Sequence, residues 1–355
     1  MTVSPFDHPI LSGLLGDEEV SAYFSAQAEL DAMLEFEIAL AQAEAEAGVI
    51  PAEAGAGIAE RLSQFLPNIN ALRRGVAQDG VVIPELVKQL RRAVGEPWSA
   101  HVHYGATSQD VIDTGLAIRL RDVLAVLDAR LEAVIVKLDA LADRDGGIET
   151  MAHTRMQAAI PVPAARKIAS WRDPLARHRE RLAHVRREVC CVTFGGAAGT
   201  LEKLGEHGSI VTERIAQILS LNPVARARHS ERDGVGELAS WLSLVSGSIG
   251  KMGQDIALLA QSEVGEIKLA GGGGSSAMPH KVNPVGAEIL VTLARFNASL
   301  LSGVHQSLVH ENERSGAAWT LEWMLLPQMI VASACALRTA NELLGSVSFV
   351  ATRSR

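Results

Sequence analysis

Three long runs of apolar residues at helical spacing constrain this chain more than any other feature. In the first, Leu120, Leu124, Leu127, Leu131, Val134, Leu138 and Leu141 recur at alternating steps of four and three, and no proline interrupts residues 108–144. The rhythm returns in Leu238, Leu242, Val245, Ile249, Met252, Ile256 and Leu259, and again in Ile289, Leu293, Phe296, Leu300, Val304 and Leu308. Such stripes keep one helix face apolar over many turns and demand a partner along their whole length. A chain of 355 residues cannot bury several of them as a small monomer. The runs therefore predict a long helical bundle extended by other subunits.

The remainder also reads as helical. Asp17, Glu18 and Glu19 look like a helix start with acids on the first turn. Apolar periodicity then continues through Leu30, Met33, Leu34, Ile38 and Leu40 to Gly48. Shorter helices are predicted from Pro51 to about Phe65 and from Pro84 to about Val94. Residues 1–100 are expected to form a small N-terminal helical domain, 101–345 the central long-helix bundle, and 346–355 a C-terminal tail. Residues 161–191 predict another helix, broken locally at Pro174. His178 and His184 sit among arginines and are read as a solvated face. Only 81–83 and 189–194 carry strand potential, and no strand pair is expected. The fold class is all-α.

Composition narrows the function classes. Hydrophobic residues make up 48% of the chain but aromatics only 4%, which suits alanine- and leucine-packed helices. A net charge of −8 argues against a nucleic-acid surface. Cys190, Cys191 and Cys335 form neither a metal spacing nor an even disulfide set, so a reducing compartment fits. The N-terminus is polar without an apolar signal region, and no apolar run is expected to span a bilayer. These features predict a soluble cytoplasmic protein with no membrane partner. Nucleotide-loop and zinc patterns are absent, which leaves no sequence case for a nucleotide or a metal.

Between the second and third apolar runs lies the most patterned polar stretch, residues 269–288, LAGGGGSSAMPHKVNPVGAE. Four glycines, Gly271 to Gly274, permit positive φ and let backbone N–H groups face an anion. A serine beside them can act as an acid or base if those N–H groups stabilise its alkoxide. Lys281 and Asn283 can hold a carboxylate, one by charge and one by amide hydrogen bonds. A plain linker has no need of the segment from Met278 to Pro284. A second polar stretch precedes the first long run. There Thr107 or Ser108 can cap the helix, with Asp110 on the first turn, and a helix N-terminus also binds carboxylates.

The loop Ser275-Ser276-Ala277-Met278-Pro279-His280-Lys281-Val282-Asn283-Pro284 resembles the signature of the fumarase/aspartase superfamily, S-S-x-M-P-x-K-x-N-P, without mismatch. The resemblance implies that Ser275 is the catalytic base and that Lys281 and Asn283 bind a substrate carboxylate. Thr107, Ser108 and Asp110 agree with the superfamily's first motif, T-S-x-D, which implies that Thr107 and Ser108 touch substrate. His103 is read as structural. Thr154, Gln157, Ala159 and Pro161 fit the frame of the second motif, T-H-x-Q-x-A-x-P. Arg155 stands where its histidine is expected, and His153 lies on the other side of Thr154. Two readings stay open there: His153 as a catalytic group, and Arg155 as a carboxylate clamp.

Residues 103–114, 194–205, 237–267 and 311–323 resemble the bacterial branch that lactonises 3-carboxy-cis,cis-muconate. The competing adenylosuccinate lyases carry a Ser/Arg phosphate set where Trp319 and Trp323 stand. The resemblance implies an isomerase acting on a small polycarboxylate without cofactor, in a homotetramer with active sites shared between chains. Arg155, Lys281 and Arg314 are candidates for neutralising the carboxylates. Longer superfamily members add a small C-terminal helical domain. This sequence stops at Arg355, soon after the helix that holds Leu337 and Leu344, so that domain is expected to be short or absent.

Overall fold

A computed structural model describes residues 3–274, 278 and 281–351. Helices dominate it. The N-terminal part holds α1 (Ser12–Leu15), α2 (Glu18–Ala22), α3 (Ala26–Glu46), α4 (Ala52–Leu62), α5 (Ile69–Asp79) and α6 (Ile83–Val94). The long helices are α7 (Ser108–Asp145), α8 (Ala164–Val189), α10 (Asp233–Leu259), α11 (Val285–Gln306) and α12 (Gly316–Ser346), with the shorter α9 (Gly208–Leu219) between α8 and α10. At 38 residues, α7 spans about 57 Å.

Two of the three predicted seams are buried stripes; of the third, only Leu293 and Val304 are buried within this chain, and Leu308 lies beyond the end of α11. Leu124, Leu127, Leu131, Val134 and Leu138 of α7 are fully buried, as are Leu238, Leu242, Val245, Ile249, Met252 and Ile256 of α10. α7 packs against α3, α8 and α12, and α10 against α8, α11 and α12. Where α10, α11 and α12 meet, the buried Asn297 amide donates to Ser333 Oγ at 2.9 Å and Ser246 Oγ at 3.2 Å. Such a knot sets the helices in register, because a slipped helix would strand its polar atoms in the core.

Several expectations are corrected. Strand pairs do exist: β1 (Glu149–Thr154) with β2 (Gln157–Pro163), and β3 (Ile267–Leu269) with β4 (Val347–Phe349). The β1–β2 register runs from Glu149 opposite Pro163 to Thr154 opposite Gln157. Arg155 and Met156 form its two-residue turn, both at positive φ, 48° and 66°. That is the twist a tight hairpin needs, but it lacks the Asn-Gly chemistry that announces one. Of the two segments given strand potential, Ile83 opens α6, and Cys191 makes only an isolated bridge to Asn222. Pro174 lies inside α8 without ending it. Two helices are long and apolar enough to cross a bilayer by length and composition, α11 and α12. In α12 61% of the apolar window is buried in protein, as in a core helix, but in α11 only 22% is.

His178 is also corrected, from a solvated face to a buried position. Its Nε2 lies 2.9 Å from Ser248 Oγ, and its backbone carbonyl accepts from Trp241 Nε1 at 2.8 Å. Burial, with Arg181 and Arg177 nearby, pushes its pKa down from 6.5 to about 4. The unfolded chain then binds the extra proton first. The neutral imidazole contributes stability above pH 6.5 that is lost as pH falls towards about 4. His178→Gln is expected to flatten the acid limb of a stability–pH curve in that window, measured by urea unfolding. Close helix approach gives a second test. A Cβ on Gly253 of α10 would lie 2.6 Å from the Ala287 carbonyl and 2.8 Å from Leu290 Cβ, both on α11. Gly253→Ala gains up to about 1 kcal/mol of helix propensity but overpacks at a cost of about 1–3 kcal/mol. A lower urea midpoint is expected at matched protein concentration.

Candidate active site

The N-terminus of α7 is a densely hydrogen-bonded polar centre. Thr107 is its N-cap, and the Thr107 N–H donates to Asp110 Oδ2 at 2.9 Å. Asp110, read as a helix-start acid, does more than that. Its carboxylate is fully buried and also accepts from Gly195 N at 2.9 Å, Gly196 N at 3.0 Å and His229 Nε2 at 2.7 Å. Glycine is required at both loop positions. A Cβ on Gly195 would lie 2.5 Å from Ala227 Cβ, and Gly196 has φ +68° with the Gly105 carbonyl 2.7 Å from its Cβ position.

Arg314, on the connection between α11 and α12, reaches into this centre. Its Nε donates to Gln109 Oε1 at 3.0 Å and its NH1 to Thr107 Oγ1 at 3.2 Å, with the carbonyls of Gly196 and Ala197 each 3.4 Å from NH2. Behind it lies a buried charge chain. Arg232 donates to Asp113 Oδ2 at 2.6 Å and to Glu322 Oε1 at 2.9 Å. Burial opposes the Arg232 charge, but Asp113 and Glu322 outweigh it and raise its pKa further. Trp319 Nε1 donates to Asp113 Oδ1 at 2.9 Å, so this tryptophan serves the buried network rather than a pocket wall.

His103 lies one turn upstream with φ 61°, its Nδ1 2.6 Å from Glu37 Oε1, which fits its structural reading. Burial opposes protonation of His103, but Glu37 prevails and raises its pKa. Burial, and then Glu37, push the neighbouring Glu44 to about 9, so Glu44 is neutral at pH 7.

The other candidate residues form two separate groups. His153, Thr154, Arg155 and Gln157 lie at the exposed end of the β1–β2 hairpin, with His153 Nδ1 3.1 Å from the Met151 carbonyl. His153 and Thr154 border a cleft of about 840 Å³ with Lys167 and Lys251 on its walls. Lys281 and Asn283 belong to the glycine-rich loop. Asn283 and Gly273 exchange backbone hydrogen bonds of 2.9 and 3.0 Å, which bring those two positions of the loop together. Ser275, together with 276, 277, 279 and 280, lies outside the described residues. Among the described residues, Thr107 and Arg314 are brought together, Ser108 starts the helix beside them, and no hydrogen bond joins them to the hairpin or to Lys281 and Asn283. Sequence reasoning passed over Gln109, Asp113, His229, Arg232 and Glu322. Charged residues at buried seam positions of α7 and α12 were the available signal.

Comparison with known proteins agrees with this architecture. The family model described as lyase matches residues 17–297. The chain is 41% identical over 340 residues to a 3-carboxy-cis,cis-muconate cycloisomerase of Pseudomonas aeruginosa, covering 94% of this chain and 74% of that one. It is 38% identical over 338 residues to the cycloisomerase of Pseudomonas putida, covering 94% and 80%. The crystal structure of 3-carboxy-cis,cis-muconate lactonizing enzyme from Pseudomonas putida superposes with a TM-score of 0.90 at 37% identity, covering 96% of this chain and 78% of that one. Motifs, fold and these likenesses together show that the chain belongs to the lyase family of the fumarase/aspartase superfamily, with the 3-carboxy-cis,cis-muconate cycloisomerases among its near relatives.

Proposed function

We propose that this protein is a cycloisomerase that converts 3-carboxy-cis,cis-muconate to 4-carboxymuconolactone. The observation that carries the reading is the convergence of Arg314 with Thr107 on the N-terminal end of α7, in a chain whose relatives bear the name of this reaction. A guanidinium, a threonine hydroxyl and the first N–H groups of a long helix form a carboxylate site of the kind a polycarboxylate needs. Lys281 and Asn283 supply a second one on the glycine-rich loop, and Arg155 a third on the hairpin turn.

In this reading one substrate carboxylate oxygen attacks a carbon of the conjugated diene and closes the lactone ring. The π electrons move to the neighbouring carbon, next to another carboxylate, and the cations stabilise the enediolate-like charge. Ser275 delivers the proton to that carbon and recovers it from solvent, with His153 the second candidate for that role. Nucleophile and electrophile share one molecule, so proximity is built into the substrate. The expected assay is loss of diene absorbance on adding the muconate. Ser275→Ala is expected to assemble normally but lose roughly 10²–10⁴ in turnover. Lys281→Met should weaken binding as well, since a carboxylate contact also acts in the ground state. Near-normal turnover in purified Ser275→Ala would sink the assignment.

The assembly we infer is a homotetramer whose active sites each draw on three chains. Two features support it. The most apolar window of α11 is only 22% buried within one chain. Among the described residues, no hydrogen bond joins the three groups of candidate residues within one chain. Sedimentation is expected to give the mass of four subunits; a fully active monomer would refute shared sites.

A further inference from the structure

Gln109 is fully buried, and its amide makes three hydrogen bonds. Oε1 accepts from Arg314 Nε at 3.0 Å, while Nε2 donates to Asp113 Oδ2 at 3.0 Å and to the His229 carbonyl at 2.8 Å. Those neighbours allow the amide one orientation. Turned over, it would set its N–H groups against a guanidinium and its oxygen against a carboxylate and a carbonyl. Asp113 is itself held by Arg232 at 2.6 Å and by Trp319 Nε1 at 2.9 Å. The place of the Gln109 oxygen is therefore set by α12 and by the backbone at His229, with no part left to solvent.

That oxygen takes the single N–H on Arg314 Nε. The other guanidinium contacts are longer: 3.2 Å to Thr107 Oγ1 and 3.4 Å to each of two carbonyls. Arg314 follows three exposed residues, 311–313, and directly precedes Ser315, the buried N-cap of α12, so its backbone is anchored on one side and its guanidinium is placed by the contacts above. We propose that Gln109 is a positioning residue for substrate binding, fixing the guanidinium of Arg314 so that the NH1 donor not taken by Thr107 meets a carboxylate beside it. The proposal rests on Arg314 as a carboxylate ligand. A guanidinium held in place beforehand spares the ordering that would otherwise accompany substrate binding.

A double-mutant cycle read in KM and kcat for the muconate tests it. Losing a charge-assisted hydrogen bond of this kind is expected to raise KM roughly tenfold or more in Gln109→Met, with kcat changed less. Arg314→Ala should raise KM at least as much, and adding Gln109→Met to it should do no further harm. Losses that add in the double variant would overturn the proposal, because Gln109 would then act independently of Arg314. A silent Arg314→Ala would instead remove the carboxylate reading itself, and a raised KM in Gln109→Met alone would then also count against positioning. If Gln109→Met does not fold, Arg314→Lys carries the test. It keeps the positive charge but has no Nε–H for the Gln109 oxygen to hold. KM should then rise roughly tenfold with kcat changed less, and an unchanged KM would overturn the proposal.

Discussion

One buried carboxylate, that of Asp110, holds the candidate active site together. It accepts four hydrogen bonds: from the helix cap at Thr107, from the glycines at 195 and 196, and from the His229 imidazole. Those donors come from segments far apart in the chain. Each contributes modestly by itself, but an unpartnered carboxylate at full burial would be costly, so the four form as a set or not at all. The consequence is geometric. The first turn of α7 and the loop after α8 become one rigid surface, and Thr107 sits on it.

A second buried set docks α12 onto that surface. Arg232 between Asp113 and Glu322 is a charge cluster of the kind that adds little net stability compared with apolar packing, yet is severely disrupted when one member is lost. Its use here is specificity of placement. Gln109 passes that placement on to Arg314, and under the proposal above the structural network aims that cation at a substrate.

The hairpin and the glycine-rich loop contribute differently. The β1–β2 turn carries Arg155 outward at positive φ, and the Gly273–Asn283 pairing holds the base of the signature loop just ahead of α11. Both present polar groups at a surface that one chain leaves open, as it leaves α11 largely uncovered. The homotetramer proposed above would cover the open surfaces and the unburied apolar helix together.

The helical architecture was legible in the sequence because its cause is local and repetitive. A leucine every three or four residues puts a stripe on one face of α7 and α10 whatever else the chain does. Thr107, Lys281 and Asn283 stood out as candidates for carboxylate binding because those residues stand in short contiguous motifs. Other features were not. The hairpin at 149–163 escaped because its turn uses Arg-Met, whose positive φ values are imposed by pairing rather than by residue preference. His178 looked solvated because arginines flank it along the chain, while the α10 side chains that bury it lie about seventy positions away. Asp110 read as an acid on the first turn of a helix, and Gln109, Asp113, His229 and Arg232 were given no role. The sequence by itself determined which helices form and which residues are candidates for the chemistry, through periodicity and short-range pattern. Only the tertiary structure decided which buried polar groups meet, because a hydrogen bond between residues a hundred or more positions apart leaves no spacing to read.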